Sequence, residues 1–213
     1  MVKIGKLFGL AAIILLLAGC AGGKKLTWTT GAEQSHKWGY YSGFPETRWD
    51  PDGRSMTLLN ELRYTDSKGN VWIAPAGSKV DGASIPKSLW SIMGGPFEGR
   101  YRNASVLHDV AYDQRDRPWQ ECDLMFYSAM RCSGVSTVEA GTIYYALYKF
   151  GRHWPYTVKK AEPVKGAGKK MAYQEKFPRA VPVNATQLAA ARDWIRSAEP
   201  SPEQIQERAQ SGQ

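Results

Sequence analysis

The feature that most constrains this chain is residues 106–130, VLHDVAYDQRDRPWQECDLMFYSAM. Apolar residues recur through it at helical spacing on both sides of a short polar turn, which predicts a pair of antiparallel helices. Polar groups interrupt those apolar faces: His108, Asp109 and Tyr112 on the first helix, Asp123 on the second. Positions 108 and 112 lie one turn apart and share a face, while 109 points about 100° round the helix. An antiparallel return brings Asp123 level with His108 and Tyr112. Such groups sit at or near the core and must find partners there.

The surrounding sequence supplies the rest of an α+β fold. The first helix is expected over 102–113. Pro118 resets the chain at the first turn of the second, which runs through Met130 to a stop near Gly134. Ser136 and Glu139 form a capping box for a third helix to about Phe150, with Ile143, Tyr144, Leu147 and Phe150 facing inward. Upstream, MTLLNELRYTD and NVWIAPAGSKV flank the turn SKGN and read as a hairpin. Its apolar faces are assigned to Leu58, Leu62, Tyr64, Val71 and Ile73, and Pro75 suits a strand end. In VDGASIP, Gly82 gives backbone latitude, Ser84 is read as an N-cap and Pro86 as the first helical turn, with Leu89, Trp90 and Met93 as an inner stripe. The expected architecture is a three-helix antiparallel core with a small hairpin or sheet on one side.

The ends carry different information. Residues 1–19 combine basic Lys3 and Lys6 with an apolar stretch too short to span a bilayer comfortably, and close on LLAGC. This resembles the signal and lipobox of bacterial lipoproteins, which implies diacylation of Cys20 and cleavage before it. By resemblance to enterobacterial lipoprotein sorting, Ala21 in the next position implies the outer membrane, facing the periplasm. Several acyl chains anchor stably where one is marginal. Residues 20–42 then form a lipidated, flexible tether, with His36 on its surface, and 43–154 the core domain. Residues 155–213 form a basic linker with short helices starting at Asn184 and Ser201, a region suited to docking an envelope protein.

The full chain carries 28 basic and 20 acidic residues, a net +8; the leader holds two of the basic ones, leaving +6. A positive surface near anionic lipid gains about 1 kcal/mol per well-placed Lys or Arg. No nucleic-acid motif accompanies the charge, so nucleic acid is not an expected partner. Beyond Cys20, only Cys122 and Cys132 remain. On one helix they stand about 15 Å apart, beyond the roughly 7 Å that a bridge spans, so no disulfide joins them.

The polar cluster suggests chemistry. His108 is placed to take a proton from water through one ring nitrogen while Asp123 accepts from the other, and Tyr112 donates to Asp123. Asp109, directed towards residues 94–99, is placed to hold a hard cation such as Ca2+, which seeks oxygen ligands. Ser84 and Ser105 lack an elbow motif, and the two cysteines read as helix-core residues. The elements HDVAY and ECDLMF resemble the His-Asp-x-x-Tyr and later Cys-Asp elements of secreted A-two-type phospholipases. That resemblance implies His108 as base, Asp109 as calcium ligand, Asp123 as its support and Tyr112 alongside. DGASIP, PFEGRYRNASVLHDVAY, CDLMFYSAM and YYALYKFG further resemble the domain of unknown function 1353, over roughly residues 58–154, which adds Asp81 to the candidate set. The leading expectation is an envelope lipoprotein that hydrolyses phospholipid esters with metal assistance. A peptidoglycan-directed hydrolase and a non-enzymatic binding, immunity or assembly lipoprotein are the alternatives.

Overall fold

The computed structural model describes residues 37–82, 84–87, 89–90, 94–155 and 181–211. Cys20 with its leader, His36, Met93 and most of the basic linker lie outside the described residues. Among the described residues six short strands precede five α-helices with defined limits: β1 (Tyr40–Ser42), β2 (Thr47–Trp49), β3 (Met56–Leu58), β4 (Leu62–Thr65), β5 (Val71–Ala74), β6 (Lys79–Val80), then α1 (Arg102–Gln114), α2 (Trp119–Cys132), α3 (Thr137–Phe150), α4 (Ala185–Ala198) and α5 (Pro202–Ser211). The fold is α+β, with two antiparallel three-stranded sheets ordered β1-β4-β5 and β2-β3-β6.

The expected first strand of the hairpin is split between the two sheets. In one continuous strand Leu58, Asn60, Leu62 and Tyr64 would share a face and carry Asn60 inward. The chain instead breaks at 59–61, leaving Asn60 exposed while Leu58, Leu62 and Tyr64 stay buried. The β4–β5 hairpin forms across the predicted turn, where Asp66 accepts from the N–H groups of Lys68 and Asn70 at 2.9 Å each. Its register pairs Leu62 with Ala74 and Tyr64 with Trp72. Trp72 and Ala74 therefore share the buried face, and Val71 and Ile73 point outward, the reverse of the sequence assignment. Residues assigned to the end of the tether join the sheet: β1 pairs with β4, and Tyr41 donates its hydroxyl to the Ala129 carbonyl at 2.9 Å.

The three central helices run close to their expected limits. Pro118 precedes α2 as its cap rather than opening its first turn. Ser136 caps α3 by accepting from the Glu139 N–H at 3.1 Å. Cys122 and Cys132 are free thiols; burial pushes the Cys132 thiol up to about 11, which leaves it unreactive near neutrality.

The C-terminal helices are part of the core, not a free tail. Leu188, Ala191 and Ile195 of α4 and Ile205 and Ala209 of α5 are buried against α3. Gln210 donates to the Tyr148 hydroxyl at 2.8 Å, and Lys149 to the Ala209 carbonyl at 2.7 Å. Gly141 makes the close approach possible: a Cβ there would stand 3.0 Å from Ile195 Cγ2 and 3.3 Å from Ile205 Cδ1. Gly141→Leu is expected to lower stability by about 1–3 kcal/mol through overpacking, read by urea unfolding. Limited proteolysis of the same variant should cut first within 181–211.

Candidate functional site

Helices α1 and α2 do pack as an antiparallel pair around the polar cluster. His108 Nε2 lies 2.9 Å from Asp123 Oδ1, and the Tyr112 hydroxyl donates to that same oxygen at 2.6 Å. Burial, and then the adjacent Asp123 carboxylate, raise the Tyr112 phenol well above its usual range, so it stays a donor. The imidazole is sandwiched by rings: Phe126 stacks at 4.6 Å and Tyr112 lies tilted at 4.2 Å.

The other side of the ring departs from expectation. His108 Nδ1 faces Ser84 Oγ at 3.0 Å, and Ser84 in turn donates to Asp109 Oδ1 in a short hydrogen bond. Ser84 is thus the bridge between histidine and second carboxylate, not a helix cap. A seryl hydroxyl has one proton to give. In this arrangement that proton goes to Asp109, so Ser84 Oγ meets the His108 ring with its lone pairs.

Asp109 turns towards the segment at 81–84 rather than towards 94–99. Its Oδ2 accepts from the N–H groups of Asp81 at 3.0 Å and Gly82 at 2.6 Å, and its Oδ1 from the Ser84 N–H at 3.1 Å. Gly82 is needed for this turn: its φ is +71°, and a Cβ would meet Pro96 Cγ at 2.2 Å. These neighbours are hydrogen-bond donors, whereas a calcium ion seeks oxygen acceptors. The residues round Asp109 do not fit calcium. Asp81 contributes its backbone to the network and directs its carboxylate outward to Arg54 at 2.9 Å.

The cluster is sealed. His108 and Asp123 have 0% exposure, Asp109 6% and Ser84 8%. Asp123 Oδ2 has no hydrogen-bond partner among the described residues; the nearest cationic candidate is His153 Nε2 at 3.9 Å. His153 is stacked on Trp119 with centroids 3.4 Å apart, and burial lowers its pKa against the opposing pull of Asp123. Sequence reasoning assigned no role to His153 and the wrong one to Ser84. For Ser84 the signal was the DGAS segment itself, 24 residues before the histidine; for His153 there was none. Ser105 is buried on α1 and joins neither carboxylate.

Residues 56–147 match the model of a family described as protein of unknown function (DUF1353). The chain is 37% identical over 130 residues to the uncharacterized protein y4jT of Sinorhizobium fredii, an alignment covering 60% of this chain and 39% of the relative. It is also 37% identical over 107 residues to the uncharacterized protein y4iH of the same organism, covering 50% of this chain and 45% of that one. The chain therefore spans less than half the length of these relatives. No solved structure matches it.

His108→Ala is expected to cost about 3–5 kcal/mol, because it strands Asp123 as a buried, uncompensated carboxylate. Ser84→Ala should cost about 1–3 kcal/mol through the lost donor to Asp109. Urea unfolding of both variants checks the order.

Proposed function

We propose that this chain is an envelope lipoprotein that works as a non-enzymatic binding or assembly module, with the His108 cluster as a buried clamp. The observation that carries this reading is that the imidazole has no exposure to solvent, whereas a general base must reach the proton it removes. A second observation agrees. The N–H groups of Asp81, Gly82 and Ser84, which an acyl-transfer site would aim at a developing oxyanion, are engaged by Asp109.

The placement in the envelope rests on LLAGC and the apolar stretch before it, with Cys20 as the acylated residue. No helix among the described residues is long and apolar enough to cross a membrane. In this reading attachment is through the acyl chains on Cys20. The inner faces of α4 and α5 are committed to α3, which leaves their outward faces and the basic linker for a protein partner.

One observation favours the hydrolase as a second reading. Ser84 Oγ, the His108 ring and Asp123 follow one another at 3.0 Å and 2.9 Å, the order of nucleophile, base and orienting carboxylate. Phospholipid esters or peptidoglycan links are its substrates, and it requires the 81–84 segment to move, freeing its N–H groups and turning the Ser84 proton from Asp109 to His108.

The two readings separate by experiment. The lipidated protein is incubated with phospholipid vesicles and with peptidoglycan, and fatty acid and new peptidoglycan ends are measured. The clamp reading expects no release above the protein-free blank, and variants at His108 and Ser84 that lose stability. Turnover that disappears in Ser84→Ala while the melting temperature holds would replace the clamp with an active site.

A further inference from the structure

A cavity of about 370 Å³ opens between the first turns of α3 and the outer helix α4, away from the His108 cluster. That size falls within the roughly 300–1,000 Å³ of small-molecule sites. Leu89, Ile143 and Leu188 supply apolar wall, and Arg192, Arg196 and Glu139 supply charge. The two arginines are one helical turn apart on α4 and therefore project from one face. Arg196 is shared with Asp193 at 2.8 Å in an exposed i,i+3 pair, the kind of contact that is weak and readily exchanged. No ion pair joins Arg192 to a carboxylate among the described residues. The positive end of the α3 dipole adds to the same sign near Ser136. Glu139 opposes it with one carboxylate against two guanidinium groups.

We propose that this cavity binds a single-chain anionic amphiphile. Its chain lies against Leu89, Ile143 and Leu188, and its carboxylate or phosphate head is held by Arg192 and Arg196. Guanidinium groups pair such heads through two parallel hydrogen bonds. One wall comes from α4, which lies beyond the residues that match the family at 56–147. The site is therefore assembled only where this C-terminal pair packs on α3. It stands whether or not the His108 cluster catalyses anything, because the two share no residue.

The test is calorimetric titration of the full chain, held in neutral maltoside detergent, with decanoate and dodecyl phosphate. Decanol, acetate and inorganic phosphate serve as controls. Saturable binding of at least one amphiphile is expected, with the tighter of the two identifying the head, and none of the controls should match it. Arg192→Gln, an exposed position, should weaken binding by about tenfold. Glu139→Gln, which keeps its backbone cap on Ser136, should tighten it by a few-fold. Absence of binding, equal affinity for decanol, or an unchanged affinity in Arg192→Gln would overturn the proposal. Equal affinity for inorganic phosphate would reduce the site to a headgroup pocket, and weaker binding in Glu139→Gln would make the ligand a zwitterion; either result overturns it too.

Discussion

The structure depends on one buried run of hydrogen bonds. It starts at the Tyr112 hydroxyl and passes through Asp123, His108, Ser84 and Asp109 to the backbone of 81–84. Each link satisfies a group that would be costly to leave unpaired away from water. Two helices and the segment leading out of the second sheet meet there, so the run fixes their relative positions as well as their polar groups. The network holds two carboxyl groups with an imidazole and a hydroxyl between them, an arrangement whose cost rises steeply when any one member is removed. One loose end remains: the second oxygen of Asp123, close to His153 but beyond hydrogen-bond distance.

That arrangement decides what the polar residues of the helix pair can do. His108, Asp123 and Tyr112 meet as the antiparallel helix pair places them. The position facing the other ring nitrogen is filled by a seryl hydroxyl. The aspartate next to the histidine is surrounded by N–H donors, in place of the oxygen ligands that a cation would collect. Chemistry follows the surrounding, because the same carboxylate that holds a metal among carbonyls holds a loop among amides.

Residues 56–147, which match the family model, hold only part of the packed structure. The sheets, α1, α2 and most of α3 fall within or beside residues 56–147. The α4–α5 pair lies beyond them, yet it buries apolar side chains against α3 as completely as the central helices do. Gly141 is the contact that permits it, and the cavity beside it is a consequence of covering a helix incompletely.

Much of this protein was legible along the chain. Helical periodicity, Pro118, the Ser136–Glu139 box and the SKGN turn located the three central helices and the hairpin, since those signals act over a few residues and require no knowledge of the rest. The pairing of His108, Tyr112 and Asp123 was legible too, because two short helices joined by a tight turn leave little choice of register. Which face of β5 is buried, where the 56–66 segment breaks, and whether the C-terminal helices dock were settled only by tertiary packing. The same holds for Ser84 and Asp109. Ser84 looks like a cap to its neighbours in sequence, and Asp109 like a free ligand. Only the folded chain brings residues 25 positions apart into contact, and only there does burial decide that the histidine between them is closed off from water.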